Sequence, residues 1–223
     1  MTIKGLIFDF DGLILDTESP RYHAWCEIFE HFKLKFDLVD YAKALGSSNE
    51  HFNPLVELSK KVGSDFNAPY WEKYQSQREM ELLIHEPLMP GVQEYFVQAK
   101  KRQLKMGIAS SSDRPWVISH LTRFNLLPYF LTVETMEDVT KVKPEPDLYQ
   151  KALSDLQLES NEAIVFEDAP HGIASAKKAG LICVAVPNPL SAQLDLSQAD
   201  IVMQSFQEFS LPELLNKVSL LSK

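Results

Sequence analysis

Five short apolar runs set the limits on what this chain of 223 residues folds into: residues 3–8, 105–109, 163–166, 181–186 and 201–203. None of them alternates apolar with polar positions, so they read as strands buried on both faces, the condition of a parallel sheet covered by helices. Helical patterns over residues 92–103, 115–124, 146–156 and 172–179 separate the later runs. Strand and helix in alternation give an α/β class, a Rossmann-like open parallel sheet with helices on both faces.

Residues 17–87 break that rhythm. They hold aromatic-rich helical stretches such as HAWCEIFEHF and PYWEKYQSQREMELLI and no convincing strand. The reading is an all-helical cap domain, 17–87, inserted into an α/β core formed by 1–16 and 88–223, with hinges near Thr17 and residues 86–90. Trp25, Trp71, Tyr70 and Tyr74 are expected to pack inside the cap, and Arg78 and Arg102 to sit on solvated helix faces.

The charge balance removes several partners. Asp and Glu number 31 against 22 Lys and Arg, a formal net charge of −9, which repels nucleic acid and anionic membranes. Cys26 and Cys183 lie far apart in apolar stretches without a CxxC pair, as buried free thiols do in a reducing compartment. No apolar run reaches membrane-span length, and strand-like sequence directly follows Met1. The expectation is a cytoplasmic protein, monomeric by default, acting on a small molecule.

In an open parallel sheet, ligands bind beyond the carboxyl ends of the strands. After the first strand come Asp9 and Asp11; after the second, Ser110, Ser111 and Ser112; after the third, Glu167 and Asp168. Lys143 precedes Pro144 in KVKPEPD, just ahead of a helix. Carboxylates gathered in one crevice repel each other unless a cation sits among them, and all-oxygen ligands suit Mg2+. Hydroxyls, helix-start amides and a lysine form a receptor for a phosphoryl group. One carboxylate can attack phosphorus and a second can move protons.

DFDGLILDT, IASSSD, KPEPDLY and FEDAPHGIASAKKAG resemble, in order, the four motifs of the haloacid dehalogenase superfamily. The subgroup resembled contains β-phosphoglucomutases and phosphoglycolate phosphatases with a helical cap after the first motif. The resemblance implies Asp9 as nucleophile and Asp11 as general acid/base, with the Asp11 carbonyl also on Mg2+. It implies Ser110, helped by the Ser111 amide, as phosphoryl receptor, and Lys143 as the charge neutralising nucleophile and phosphate. Asp9, Asp11, Asp168 and Glu167 make up the implied metal site, with Glu167 a ligand or a support behind one.

Cap residues decide the subclass. Arg21 is expected to face Asp11, and Ser47, Ser48, Asn49 and His51 are further specificity candidates. Mutases of the resembled type carry a histidine where Arg21 stands, and a lysine and an arginine where Leu45 and Asn49 stand. An amide cannot grip a distal phosphate as a guanidinium does, which favours a Mg-dependent phosphatase of small, sugar-phosphate-like monoesters. The alternative is a β-phosphoglucomutase-type mutase with Arg21 as the replacement cation. A phospho-accepting receiver module is a third reading, disfavoured by the inserted helices and by acids only two residues apart.

Overall fold

The computed structural model describes residues 2–42, 53–64 and 66–221. Six parallel strands form one sheet: β1 (Gly5–Phe8), β2 (Lys105–Ala109), β3 (Thr132–Glu134), β4 (Ala163–Glu167), β5 (Ile182–Ala185) and β6 (Ile201–Val202). Their order is β3-β2-β1-β4-β5-β6. Every pairing is parallel.

Because successive strand side chains point to opposite faces, the all-apolar runs feed two separate cores. Leu6, Phe8, Met106, Ile108, Ile164, Phe166 and Val184 pack on one face. There they meet Tyr95, Phe96 and Ala99 of α5 (Val92–Lys101), Val117 and Leu121 of α6 (Arg114–Arg123), and Leu211, Leu214 and Val218 of α9 (Leu211–Leu221). Ile7, Ala109, Val165, Cys183 and Ala185 fill the opposite face under α7 (Asp147–Leu156) and α8 (Pro170–Lys178). At the centre, Phe8 and Phe166 stack with ring centroids 4.9 Å apart, and Phe96 meets Phe8 edge-on at 5.1 Å. Offset and edge-on pairs of this kind add about 0.5–1.5 kcal/mol each beyond burial.

Two elements went unread in the sequence. β3 is a three-residue edge strand, too short to show a period. α9 does carry apolar residues at helical spacing, Leu211, Leu214, Leu215 and Val218, a pattern from which the helix could be read.

Between β1 and α5 the chain runs through α1 (Glu18–His31), α2 (Leu38–Ala42), α3 (Pro54–Val62) and α4 (Ala68–Leu83). Asn53 and Asn67 cap α3 and α4, each with a proline in the first turn, the residue types helix starts favour. These helices share a third core, centred on Trp25, Ile28, Phe29, Phe36, Tyr41 and Leu58, which Ala169 and Leu190 of the sheet side also join. At the crossing points Leu15 bridges to Asp11 and to Leu88, so the outgoing and returning strands hold each other. Trp25 is buried as expected, but Tyr70 is 56% exposed and Tyr74 is 37% exposed, so the outer turns of α4 are not core. Arg78 is no idle surface cation: it makes a forked contact with Glu27, at 2.9 Å, tying α4 to α1. Among the described residues, no helix is long and apolar enough to cross a membrane.

Candidate active site

Register assembles the site. Phe8 pairs with Ile108 on one side and with Phe166 on the other, so Asp9 leaves the sheet level with Ala109 and Glu167. The chain steps outward from β1 through β2 to β3 and then crosses to β4, which places the topological switch point, where such sheets bind ligands, between β1 and β4. The sequence-predicted core residues Asp9, Asp11, Ser110, Ser111, Lys143, Glu167 and Asp168 all meet around this point.

Lys143 enters from the loop ahead of α7 through a cis peptide to Pro144. Its Nζ lies 2.6 Å from Asp9 Oδ1 and 2.7 Å from Glu167 Oε1. The side chain is 2% exposed, and its ammonium sits 5.1 Å from the Tyr149 ring centroid. The Tyr149 hydroxyl donates to the same Glu167 oxygen. Burial works against the Lys143 charge, yet Asp9 and Glu167 more than offset it and raise its pKa.

Two glycines let these groups approach. A Cβ on Gly172, in the first turn of α8, would lie 2.0 Å from the Glu167 carboxyl, and one on Gly12 would lie 2.5 Å from Asp168 Oδ2. Gly12 also holds φ at +76°, the left-handed region glycine enters freely. Asp168 is oriented by Asn188, whose Nδ2 donates to Oδ2 at 2.8 Å. Asn188 Oδ1 in turn accepts from the amides of Leu190 and Ser191 at 2.8 and 2.9 Å.

One oxygen each from Asp9, Glu167 and Asp168 can gather within 4.8 Å of one another, and all three residues are buried. Burial raises the Asp9 carboxyl above the ordinary range, Lys143 opposes the shift, and Glu167 and Asp11 reinforce it. Asp168 is pushed up by burial first and then by Asp9, Glu167 and Glu18. Buried carboxylates that hold their charge reluctantly and offer only oxygen donors fit a small hard divalent cation such as Mg2+.

Asp11 occupies a different environment. Its Oδ1 accepts from Thr17 Oγ1 at 3.0 Å and Trp116 Nε1 at 2.8 Å, and its Oδ2 from Ser110 Oγ at 3.2 Å and Ser112 Oγ at 2.7 Å. Ser110 and Ser112 therefore hold Asp11 and do not cap the next helix. Asp113 does the capping, accepting from the Trp116 amide at 2.8 Å. Ser111 lines the crevice with its Oγ buried and without a hydrogen-bond partner. Because buried polar atoms are otherwise nearly always satisfied, this hydroxyl marks a seat for a ligand oxygen.

The crevice, of about 70 Å³, is lined by Asp9, Asp11, Ser110, Ser111, Ser112 and Lys143 from the sheet side and by Glu18 and Arg21 from α1. Arg21 thus lines the same crevice as Asp11, but its Nε is bonded to Glu79 Oε1 of α4 at 3.0 Å. Ser47, Ser48, Asn49 and His51, together with Leu45, lie outside the described residues. His171 stands in the first turn of α8.

Sequence reasoning missed Asn188, Tyr149, Trp116, Glu18 and Glu79, and it treated Thr17 only as a hinge. Asn188 was findable, since it follows β5 in VAVPNPL as Asp168 follows β4. Trp116 and Tyr149 sit on helices, where an aromatic reads as core.

The description "Haloacid dehalogenase-like hydrolase" matches residues 6–186. The chain is 38% identical to the protein named "Putative phosphatase YhcW" of Bacillus subtilis (strain 168), over 97% of this chain and 98% of that one. It is 31% identical to "Fructose-1-phosphate phosphatase YqaB" of Escherichia coli (strain K12), over 82% of this chain and 95% of that one. It is 29% identical to "Beta-phosphoglucomutase" of Bacillus subtilis (strain 168), over 96% and 95%. Among solved structures, β-phosphoglucomutase from Clostridium difficile superposes with a TM-score of 0.78 over 100% of both chains at 21% identity, a likeness of fold. A match that runs from β1 to the end of β5 and takes in all four strand-end motifs fixes the lineage: this chain belongs to the haloacid dehalogenase-like hydrolase family.

Proposed function

We propose that the protein is a Mg2+-dependent phosphatase of small phosphate monoesters, working through a phosphoryl-aspartate on Asp9. Residues 1–16 and 88–223 are its catalytic core and residues 17–87 its cap. The observation that carries this reading is the buried cluster of Asp9, Lys143, Glu167 and Asp168 beside a crevice that also holds Asp11 and the unpartnered Ser111 hydroxyl.

Asp9, Asp168 and the Asp11 carbonyl would hold the cation. Glu167 shares one oxygen between Lys143 and Tyr149, and we assign it to positioning Lys143; it could also offer an oxygen to the cation. A bound cation would supply positive charge to offset these carboxylates and the phosphoryl group. Ser110, the Ser111 amide and hydroxyl, and Lys143 seat the phosphoryl group. An Asp9 oxygen forms the new bond to phosphorus while the bond to the ester oxygen breaks, and Asp11 gives that oxygen a proton. Water then attacks the same phosphorus, Asp11 takes its proton, the Asp9–phosphorus bond breaks and inorganic phosphate leaves. Both oxygens of Asp11 already carry hydrogen bonds, so proton transfer requires it to exchange one of these partners for the substrate.

The mutase is the second reading, and the likeness to "Beta-phosphoglucomutase" supports it. It requires a cation to grip a distal phosphate, and Arg21, the candidate, is bonded to Glu79. The receiver reading has no support in this geometry. A phosphorus NMR time course with Mg2+ separates them. Inorganic phosphate accumulating from a panel of sugar monophosphates supports the phosphatase. Conversion of β-glucose 1-phosphate to glucose 6-phosphate, primed by β-glucose 1,6-bisphosphate and without phosphate release, supports the mutase. A single stoichiometric labelling by acetyl phosphate without turnover supports the receiver.

A further inference from the structure

The cap side of the crevice carries a charge arrangement that the phosphoryl chemistry does not use. Glu18 and Arg21, one turn apart on α1, both line the crevice with Asp9 and Asp11. Arg21 Nε donates to Glu79 Oε1 at 3.0 Å, and its Nη1 stands 3.9 Å from Glu18 Oε1. Glu79 Oε2 accepts from Gln75 Nε2 at 2.7 Å, and Glu18 Oε2 accepts from the Tyr41 hydroxyl at 2.9 Å. Glu18, Tyr41, Gln75 and Glu79 are all buried, whereas the Arg21 side chain is 37% exposed.

As a folding device this arrangement is a poor choice. Buried ions lose more hydration than their attraction returns unless every partner is well placed, and apolar residues of similar volume stabilise at least as well. Two ionic side chains at the crevice wall, with a third behind them holding Arg21, are better explained by what they bind. Among the described residues, the Arg21 terminal nitrogens have no hydrogen bond at ordinary distance, and Glu18 Oε1 has only the 3.9 Å approach of Arg21. A donor fork thus lies beside a carboxylate acceptor at the crevice wall. Burial also raises the Glu18 pKa, with Arg21 opposing, so this carboxyl can meet an alcohol as acceptor or, when protonated, as donor.

Such alternation suits adjacent hydroxyls, each of which donates and accepts. It does not suit a second phosphate, which only accepts and carries negative charge. One guanidinium against two carboxylates leaves the group without surplus positive charge to hold a phosphate dianion.

We infer that Glu18 and Arg21, the latter held in place by Glu79, form a receptor for the hydroxyl groups of an uncharged, polyhydroxylated leaving alcohol, and that this receptor excludes esters carrying a second phosphate. The inference rests on the phosphatase reading and narrows it to sugar or polyol monophosphates.

The test measures kcat/KM with Mg2+ for a panel of hexose monophosphates, the corresponding bisphosphates, and p-nitrophenyl phosphate, in the wild type and in Glu79→Gln and Glu18→Gln. The wild type is expected to prefer a monophosphate over its bisphosphate by about tenfold or more. Glu79→Gln, which releases the Arg21 charge, should shrink that preference by about tenfold and lower the ratio of monophosphate to p-nitrophenyl phosphate turnover by a similar factor. Glu18→Gln should move both ratios in the same direction, an independent check should the first variant fold poorly. A wild type that accepts bisphosphates as readily as monophosphates overturns the inference, as do ratios unchanged in both variants. If p-nitrophenyl phosphate is hydrolysed while the sugar ratios fail to move, only the receptor falls. If the wild type releases phosphate from no ester, the phosphatase reading falls and the receptor with it.

Discussion

The floor and the roof of the crevice are built differently. On the floor, each charged group comes from the end of a strand, from just beyond one, or from the loop before a helix, all but the half-buried Asp11 are buried, and partners from neighbouring elements hold them: Lys143 between Asp9 and Glu167, Asp168 against Asn188. On the roof, Glu18, Arg21 and Glu79 come from helices whose own core takes in Ala169, Leu190 and Leu194 from the sheet side. The floor's geometry is dictated by sheet register, which cannot slip without exposing two apolar cores. The roof's geometry depends on how α1 packs on α4. The difference suits a division of labour, with the proposed phosphoryl chemistry below and selection of the alcohol above.

Substitutions on the floor should therefore remove chemistry, and those on the roof should redistribute it among substrates. The largest effect is expected at Asp9. Asp9→Asn should cut turnover by roughly 10⁴-fold or more, as loss of a nucleophile does. Circular dichroism should show an intact fold, because the amide keeps the shape of the carboxylate and Lys143 keeps its contact with Glu167. Substantial remaining Mg2+-dependent turnover would shift the nucleophile elsewhere and erase the contrast.

Asp11→Asn comes next, with a fall of roughly 10²–10⁴-fold. The loss should be smaller for p-nitrophenyl phosphate, whose leaving oxygen needs little protonation, than for a sugar phosphate. Equal losses on both esters would deny Asp11 the acid role.

Asn188→Ala should weaken Mg2+ activation by roughly 10–100-fold, the usual consequence of removing a group that orients a ligand. Its kcat at saturating Mg2+ should fall far less. A drop in kcat that excess Mg2+ does not repair would mean that Asn188 serves the fold around Gly12 rather than Asp168.

The smallest effect is on stability. Asp9 and Asp168 have folded pKa values above those of the unfolded chain, so the folded protein binds protons more tightly at these sites. The metal-free protein should therefore lose stability as pH rises above the ordinary carboxyl range, near 4, and these groups ionise. A divalent cation replaces those protons, so the rise in Tm on adding Mg2+ should be larger at roughly pH 8 than at roughly pH 5. Equal rises in a thermal-shift assay would show that these carboxyls are not the binding site.

How much of this was legible in the chain follows the same floor-and-roof division. Asp9, Ser110, Glu167 and Asp168 could be read because non-alternating apolar runs end abruptly and the next residues must face one edge of the sheet. Lys143 was legible from KPEPD standing ahead of a helix. Asn188 obeyed the same rule after β5 and was passed over because an Asn-Pro pair reads as a turn. Trp116 and Tyr149 could not be singled out, since their polar atoms matter only through what lies across the fold from them. Glu79 is 58 residues from Arg21, and no local pattern joins them. The packing of α1 on α4 makes that pair, so it became visible only in three dimensions. Tyr70 and Tyr74 show the converse error, aromatic residues assigned to a core that the narrow face of α4 does not provide.

The account stands on Asp9 as the group that takes the phosphoryl. The most direct measurement is to trap it: quench the enzyme during steady turnover of a sugar monophosphate with Mg2+, reduce with borohydride, and sequence the peptides by mass spectrometry. An acyl phosphate at Asp9 would be reduced to homoserine at that position alone, and only with substrate and Mg2+ both present. Unmodified Asp9 in enzyme shown to be releasing phosphate, or homoserine at another carboxylate, would contradict the mechanism.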